Sequence, residues 1–292
     1  MLNRLTNICS RLSPLLGKIA GKEPYLDFKT LANDIVGGVR RHLANAESPA
    51  RVLQVTDSFK LLKTARGDLL YWPDEYSHQI VDHVYNELTD PHWQDNYFRL
   101  WKPGENDVVF DLGACEGLFA YRIKDVVSKI HLFEPIPRIA AALRKTFENK
   151  ILDGRAVVHE CVVGEHEGTV AFHIDPENFG GSSIVETGKS VPSLQVRMTT
   201  IDRLVEELGI ERLDLVKMDI EGAELQALRG AVQTMQRQKP DLLVCTYHRD
   251  DDIPTIPLFL EENSYKIVSY NCSYRQFRKP HYWPTIILAK HR

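Results

Sequence analysis

The stretch from Val109 to Leu118 constrains this chain more than any other. It reads Val109-Phe110-Asp111-Leu112-Gly113-Ala114-Cys115-Glu116-Gly117-Leu118. An apolar strand ends in an acid, a glycine-bearing loop turns the chain, and a helix begins. Glycine permits the sharp turn, and the free N–H groups that open a helix attract anionic groups. Strand, loop and helix in that order form the unit from which parallel α/β sheets are wound.

The rest of the chain repeats the unit. Apolar strands are expected at 108–112, 130–134, 156–163, 213–218 and 241–247, with helices at 118–127, 138–149 and 223–238 between them. Two further strands, 265–270 and 282–289, follow with no helix between them and should form an antiparallel edge pair. One insertion, 164–200, breaks the alternation. Its segments 169–174 and 194–199 read as paired strands around Asn178-Phe179-Gly180-Gly181-Ser182-Ser183, a loop expected to close over an acceptor.

Residues 1–100 read differently. Segment 1–22 carries Arg4, Arg11, Lys18 and Lys22 with no acid before Glu23. Its leucines recur at helical spacing, with Pro14 interrupting. A docked terminal helix is preferred to a membrane-surface helix, and no signal peptide is expected. A helix at 26–46, strands at 52–62 and 69–72 around Arg66-Gly67-Asp68, and a helix at 76–88 complete an N-terminal α+β cap on a domain spanning 101–292.

Charge and cysteine usage narrow the function. A net charge of −4 over 292 residues gives no footprint for nucleic acid. The five cysteines are Cys9, Cys115, Cys161, Cys245 and Cys272, dispersed and without a Cys-x-x-Cys pair. Neither a disulfide framework nor a zinc site is indicated, and a reducing, cytoplasmic setting is expected. No apolar run reaches the roughly 20 residues that span a bilayer.

The acids identify the chemistry. The loop follows D-x-G-x-x-x-G rather than the G-x-G-x-x-G of dinucleotide enzymes. Asp111 would repel a pyrophosphate but suits the ammonium group of an amino-acid-bearing nucleoside such as S-adenosylmethionine. Glu134 ends the next strand, where a carboxylate accepts both ribose hydroxyls, and Pro135 would line the adenine. Gly113, Ala114, Cys115, Gly117 and Leu118, with Cys161 and Val162 at the end of the third strand, complete the expected cofactor contacts.

The acceptor side is expected in Asp214-Leu215-Val216-Lys217-Met218-Asp219-Ile220-Glu221-Gly222-Ala223-Glu224 and in Tyr247-His248. Asp219 leaves the fourth strand at the carboxyl edge and would touch both donor and acceptor. Either Asp219 or His248 would act as base, with Glu221 orienting the acceptor. Gly181, Ser182, Ser183 and Glu224 would bind it. Lys217, in an apolar strand, needs a partner, with Glu221 or Asp219 as candidates. Asp219, Glu221 and Glu224 would also suit Mg²⁺, but no resident metal is preferred.

Together these residues resemble the FkbM-type methyltransferases. The resemblance rests on Phe110 to Ala114, on Phe133-Glu134-Pro135, on Gly180 to Ser183, on Thr200-Ile201-Asp202, on Lys217 to Glu224 and on Leu228-Arg229-Gly230-Ala231. It spans roughly residues 101–290. Where that family's loop carries asparagine or aspartate after the alanine, this chain has Cys115-Glu116. The resemblance implies a Rossmann-like class I methyltransferase fold with a mostly parallel seven-stranded sheet. It also implies S-adenosylmethionine as cofactor and O-methylation of a sugar or secondary-metabolite hydroxyl. The expected partner is thus a small-molecule or glycan acceptor, with a homo-oligomer as an option. A nicotinamide-dependent oxidoreductase and a non-catalytic cofactor-binding scaffold are the competing readings.

Overall fold

Three short strands open the architecture in the computed structural model: β1 (Arg51–Val55), β2 (Phe59–Lys63) and β3 (Leu69–Pro73). The structure describes residues 50–56, 58–89, 96–175, 181–185, 192–275 and 281–292. The helices expected at 1–22 and 26–46 lie outside the described residues, as do Asn178 to Gly180 of the insertion. The single strand expected at 52–62 is two strands. The Thr56 amide and hydroxyl both bond the Phe59 carbonyl and turn the chain there. β1, β2 and β3 form an antiparallel meander.

Helix α1 (Gln79–Thr89) begins three residues later than expected, after a turn held by Trp72 Nε1 donating to the Ser77 carbonyl at 3.0 Å. A 3₁₀ turn, Tyr97–Arg99, is capped by the Asn96 side chain. Then comes the wound sheet: β4 (Val108–Leu112), α2 (Leu118–Ile123), β5 (Lys129–Phe133), α3 (Pro137–Thr146), α4 (Glu148–Leu152) and β6 (Ala156–His159). The third strand stops at His159, because β7 (Val162–Val163) leaves the main sheet to pair with the insertion. β8 (Gly168–His173) and β9 (Ser193–Thr199) form the antiparallel hairpin read from the sequence.

The second half contains α5 (Ile201–Glu207), β10 (Leu215–Met218), α6 (Glu224–Arg229), α7 (Val232–Arg237), β11 (Asp241–Cys245), α8 (Asp252–Glu262), β12 (Tyr265–Arg275) and β13 (His281–His291). The helix expected at 223–238 breaks at Gly230. A Cβ there would lie 2.2 Å from the Gly164 carbonyl oxygen, so only glycine admits this approach. Asp202 then caps α7, accepting from the amides of Thr234 at 2.7 Å and Gln233 at 3.0 Å. These contacts explain the Thr200-Ile201-Asp202 and Leu228 to Ala231 motifs as packing devices.

The seven-stranded sheet runs β12-β13-β11-β10-β4-β5-β6, with β13 antiparallel to both neighbours and the rest parallel. This is the expected Rossmann-like α/β fold with an antiparallel edge pair. Alternation along the strands sends side chains to opposite faces. Phe110, Leu112, Val216 and Met218 enter one core with α5 to α8. Val109, Leu215 and Leu243 enter the other, where Leu62, Trp72, Tyr85 and Tyr97 of the N-terminal segment also pack. That second core is therefore continuous across residue 100. Among the described residues no helix is long and apolar enough to cross a membrane.

Candidate functional site

The loop after β4 is built from the backbone. The amides of Gly113 and Ala114 donate to the Phe133 carbonyl at 3.2 and 3.1 Å, which ties the loop to the end of β5. Gly113 has φ +75° and a Cβ there would fall 2.0 Å from the Asp219 carbonyl oxygen. The β4 loop and the β10 loop therefore touch at this point, and only glycine lets them. Cys115 also has positive φ, at 42°, a strained conformation for a side-chain-bearing residue.

Glu134 holds the loop from its other side. Its Oε2 accepts the Cys115 amide at 3.1 Å and its Oε1 accepts the Ile136 amide at 2.8 Å. Each oxygen keeps a lone pair for a further hydroxyl donor. Burial pushes the carboxyl up to about 7, and neighbouring Glu116 is pushed up to about 7 by the same cause. Gly117 starts α2 with φ +79°, and Leu118 and Ala114 are buried. Cys161 and Val162 follow the end of β6, whose His159 carbonyl accepts the Glu134 amide at 3.0 Å; both are buried.

Asp111 is placed differently from the expectation. It is 0% exposed, so its carboxylate cannot hold an ammonium group in the loop. Instead it faces Lys217 Nζ at 3.0 Å. Lys217 and Asp111 are register partners on β10 and β4 and so share a face. This corrects the expected partners of Lys217, Glu221 and Asp219. The lysine also donates to the Gly113 carbonyl at 3.0 Å, pinning the loop. Burial opposes its charge, but Asp111 and Asp219 outweigh that and hold Lys217 above its usual value.

The second cluster gathers around His248. Its Nδ1 lies 2.8 Å from Glu224 Oε1, and its Nε2 lies 3.4 Å from both Asp219 Oδ1 and Glu221 Oε1. Burial works against a charged ring, but Glu224 and Glu221 hold His248 well above the usual histidine range. Asp219 is held below the carboxylate range: burial raises it, while Lys217 and His248 lower it further. Burial raises Glu221. Ligand atoms of Asp219, Glu224 and His248 lie within 4.8 Å of one another.

Glu224 serves the turn rather than an acceptor. It is 0% exposed, and its two oxygens accept the amides of Ile220 and Gly222 at 2.9 Å each. This holds Glu221 at φ +55°. Ser183 adds to it by donating from Oγ to the Glu221 carbonyl at 2.7 Å while accepting the Val185 amide at 3.1 Å. Ser182 Oγ accepts the Asp175 amide at 3.1 Å. Both hydroxyls, expected on the acceptor, are buried and engaged within the insertion and the β10 loop. Gly181 is half-buried beside them.

Tyr97 was not singled out by the sequence. It is buried, its hydroxyl donates to Asp219 Oδ2 at 2.5 Å, and it lies 3.6 Å from Cys245 Sγ. Its ring meets Phe119 edge-on at 5.6 Å and stands 5.5 Å from Lys217 Nζ. Tyr247 reaches Asp219 Oδ1 at 3.5 Å. The signal was faint, because Tyr97 precedes Asp219 by 122 residues.

Comparison with known proteins finds methyltransferases among those the chain is similar to. The chain is 24% identical over 216 residues to the methyltransferase sdnD of Sordaria araneosa, covering 63% of this chain and 82% of that one. It is 28% identical over 173 residues to the 2-O-methyltransferase NoeI of Sinorhizobium fredii, covering 53% and 67%. The crystal structure of a methyltransferase FkbM from Methylobacillus flagellatus KT is similar with 20% identity and a TM-score of 0.46. That match covers 74% of this chain and 56% of that one. The FkbM methyltransferase domain matches residues 111–267, more than half of the chain, and with it the loop after β4, Glu134, the β10 loop and His248. This chain is a member of the FkbM methyltransferase family.

Proposed function

We propose that this protein transfers the methyl group of S-adenosylmethionine to a hydroxyl on a small-molecule or glycan acceptor. The observation that carries the reading is the contact of Gly113 with the Asp219 carbonyl, which joins the nucleoside-type loop to the carboxylate cluster. A donor held by the first would then lie beside an acceptor held by the second. The relatives' names agree: NoeI is a 2-O-methyltransferase and AglP of Haloferax volcanii a hexuronic acid methyltransferase.

When bound, S-adenosylmethionine supplies a methyl carbon already activated by its sulfonium. The residues here bind and align. Glu134 accepts the two ribose hydroxyls with its remaining lone pairs, while Gly113 to Leu118 wrap the nucleoside, Asp111 acting through Lys217. Such alignment alone removes several kcal/mol from a bimolecular barrier, about 7 or more in favourable cases.

The acceptor hydroxyl must also lose its proton as the C–S bond breaks and the C–O bond forms. The expected base was Asp219 or His248, with Glu221 as the orienting group; we exchange these roles. Asp219 is held by Tyr97 and Tyr247, and His248 faces carboxylates with both nitrogens. Glu221 has the most exposed side chain of the cluster, 31% against 24% for Asp219. It therefore takes the proton, and Asp219 orients the acceptor. The test is transfer of labelled methyl to extract components, with mass spectrometry of the product. Labelled product with wild type and none with Glu221→Gln supports the assignment, whereas full turnover by Glu221→Gln removes Glu221 as base.

A further inference from the structure

The two oxygens of Asp219 are held unequally. Oδ2 accepts the Tyr97 hydroxyl at 2.5 Å. Oδ1 has long contacts, to His248 Nε2 at 3.4 Å and to the Tyr247 hydroxyl at 3.5 Å, outside the range of a good hydrogen bond. The side chain is 24% exposed, so a ligand can reach it. One oxygen is therefore fixed, and the other keeps a lone pair for an incoming hydroxyl.

The phenol that fixes Oδ2 is itself held in place. Its 3₁₀ turn is clamped by Asn96, whose side chain accepts the Phe98 amide at 2.9 Å and donates to the Leu88 carbonyl of α1 at 3.2 Å. From the far edge of the sheet, Asn271 of β12 donates to the Asn96 carbonyl at 3.1 Å. Phe98 stacks on Phe119 of α2 at 5.4 Å, and the Tyr97 ring meets the same ring edge-on. A phenol is a neutral donor, so it orients a carboxylate without cancelling its charge, as a paired arginine or lysine would. Burial and the nearby Asp219 charge keep Tyr97 protonated, and hence a donor, far above neutral pH. The turn also lies outside residues 111–267, the part matched by the family domain.

We propose that Tyr97 is a positioning residue that decides which hydroxyl of a polyhydroxylated acceptor is methylated. With Oδ2 occupied, Asp219 offers Oδ1 alone, so the acceptor is met at a single hydroxyl while Glu221 takes the proton. A free Oδ2 would let the carboxylate turn and accept a neighbouring hydroxyl as well, which opens a second binding register. The selection rests on the methyl-transfer reading, with Asp219 as the orienting group. It places one determinant of acceptor choice in the N-terminal segment rather than in the family domain.

The experiment compares wild type with Tyr97→Phe, which deletes the hydroxyl and keeps the ring. The probe for transfer is the extract fraction that wild type labels from methyl-labelled S-adenosylmethionine, with mass spectrometry locating the methyl on the product. Wild type should give one positional isomer. Tyr97→Phe should give at least two, with kcat lowered about 10-fold and the KM for S-adenosylmethionine unchanged. Carbon NMR of protein labelled at the aspartate carboxyls reads the same contact with no acceptor present. The Asp219 resonance, identified by its loss in Asp219→Asn, should titrate at higher pH in Tyr97→Phe. Asn271→Ala loosens the turn and keeps the phenol, so it should move both readouts the same way by less, and it reports even if Tyr97→Phe fails to fold. A single isomer at wild-type kcat from the variants, or an unmoved Asp219 titration, would overturn the proposal. No labelled product from wild type in any fraction would defeat the methyl-transfer reading itself, and the proposal would fall with it.

Discussion

The two halves of the site are built on opposite plans. The half after β4 and β5 is made of backbone: glycines at positive φ, amides on a neighbouring carbonyl, and one carboxylate, Glu134, bracing the loop. The half after β10 and β11 is made of side chains drawn from four distant places, Tyr97, Ser183, Glu221 and His248. A ligand common to a whole family can be met by backbone geometry, which any sequence that keeps its glycines reproduces. Acceptors differ between relatives, and side chains can change without disturbing the sheet.

The strongest test of that contrast lies where the halves meet. Lys217→Met leaves Asp111 buried without its cation, so stability should fall by about 3–5 kcal/mol. Denaturant unfolding measures it. Because Lys217 also holds the Gly113 carbonyl, cofactor affinity should fall with it, and a stable variant of normal affinity would break the link.

Gly113→Ala probes the backbone half. Its Cβ would fall 2.0 Å from the Asp219 carbonyl oxygen at a φ that side chains disfavour, so a cost of about 2–4 kcal/mol is expected. Calorimetric melting and a cofactor titration should both register it.

Glu134 gives the half a pH dependence. Its carboxyl sits at about 7 because it is buried. Only the ionised form accepts two hydroxyls freely, so cofactor binding should strengthen as pH rises through 7. Between pH 6 and 8 the ionised fraction grows about tenfold, and the dissociation constant should fall by that factor. A constant affinity across this range would show that Glu134 is not a cofactor ligand.

Ser183→Ala should be the mildest. It removes one hydrogen bond to the Glu221 carbonyl, worth about 1–2 kcal/mol. Turnover should drop several-fold while the cofactor dissociation constant stays fixed. A change in cofactor affinity instead would contradict the separation of the two halves.

This contrast also decides what was legible in the sequence. Local signals identified the loop from Asp111 to Leu118, the order of the wound strands, the edge pair and the hairpin insertion. Each depends on neighbours a few residues apart. The partner of Lys217 depends on the register of β10 against β4, which no local pattern encodes. Tyr97 depends on the N-terminal segment folding over one face of the sheet. Helix α8 went unread because Pro254 and Pro257 disguise it, one in its first turn and one inside. Ser182 and Ser183 read as acceptor ligands from their flexible composition, but their hydroxyls complete the turn at Glu221.

The central claim is that the loop after β4, braced by Glu134, selects S-adenosylmethionine. Its direct test is calorimetric titration of wild type and Glu134→Ala with S-adenosylmethionine and, separately, with NAD. The account predicts saturable binding of S-adenosylmethionine alone, weakened about 10- to 100-fold in Glu134→Ala through loss of the ribose hydrogen bonds. Saturable binding of NAD without S-adenosylmethionine, or equal S-adenosylmethionine affinity in the two proteins, would contradict it.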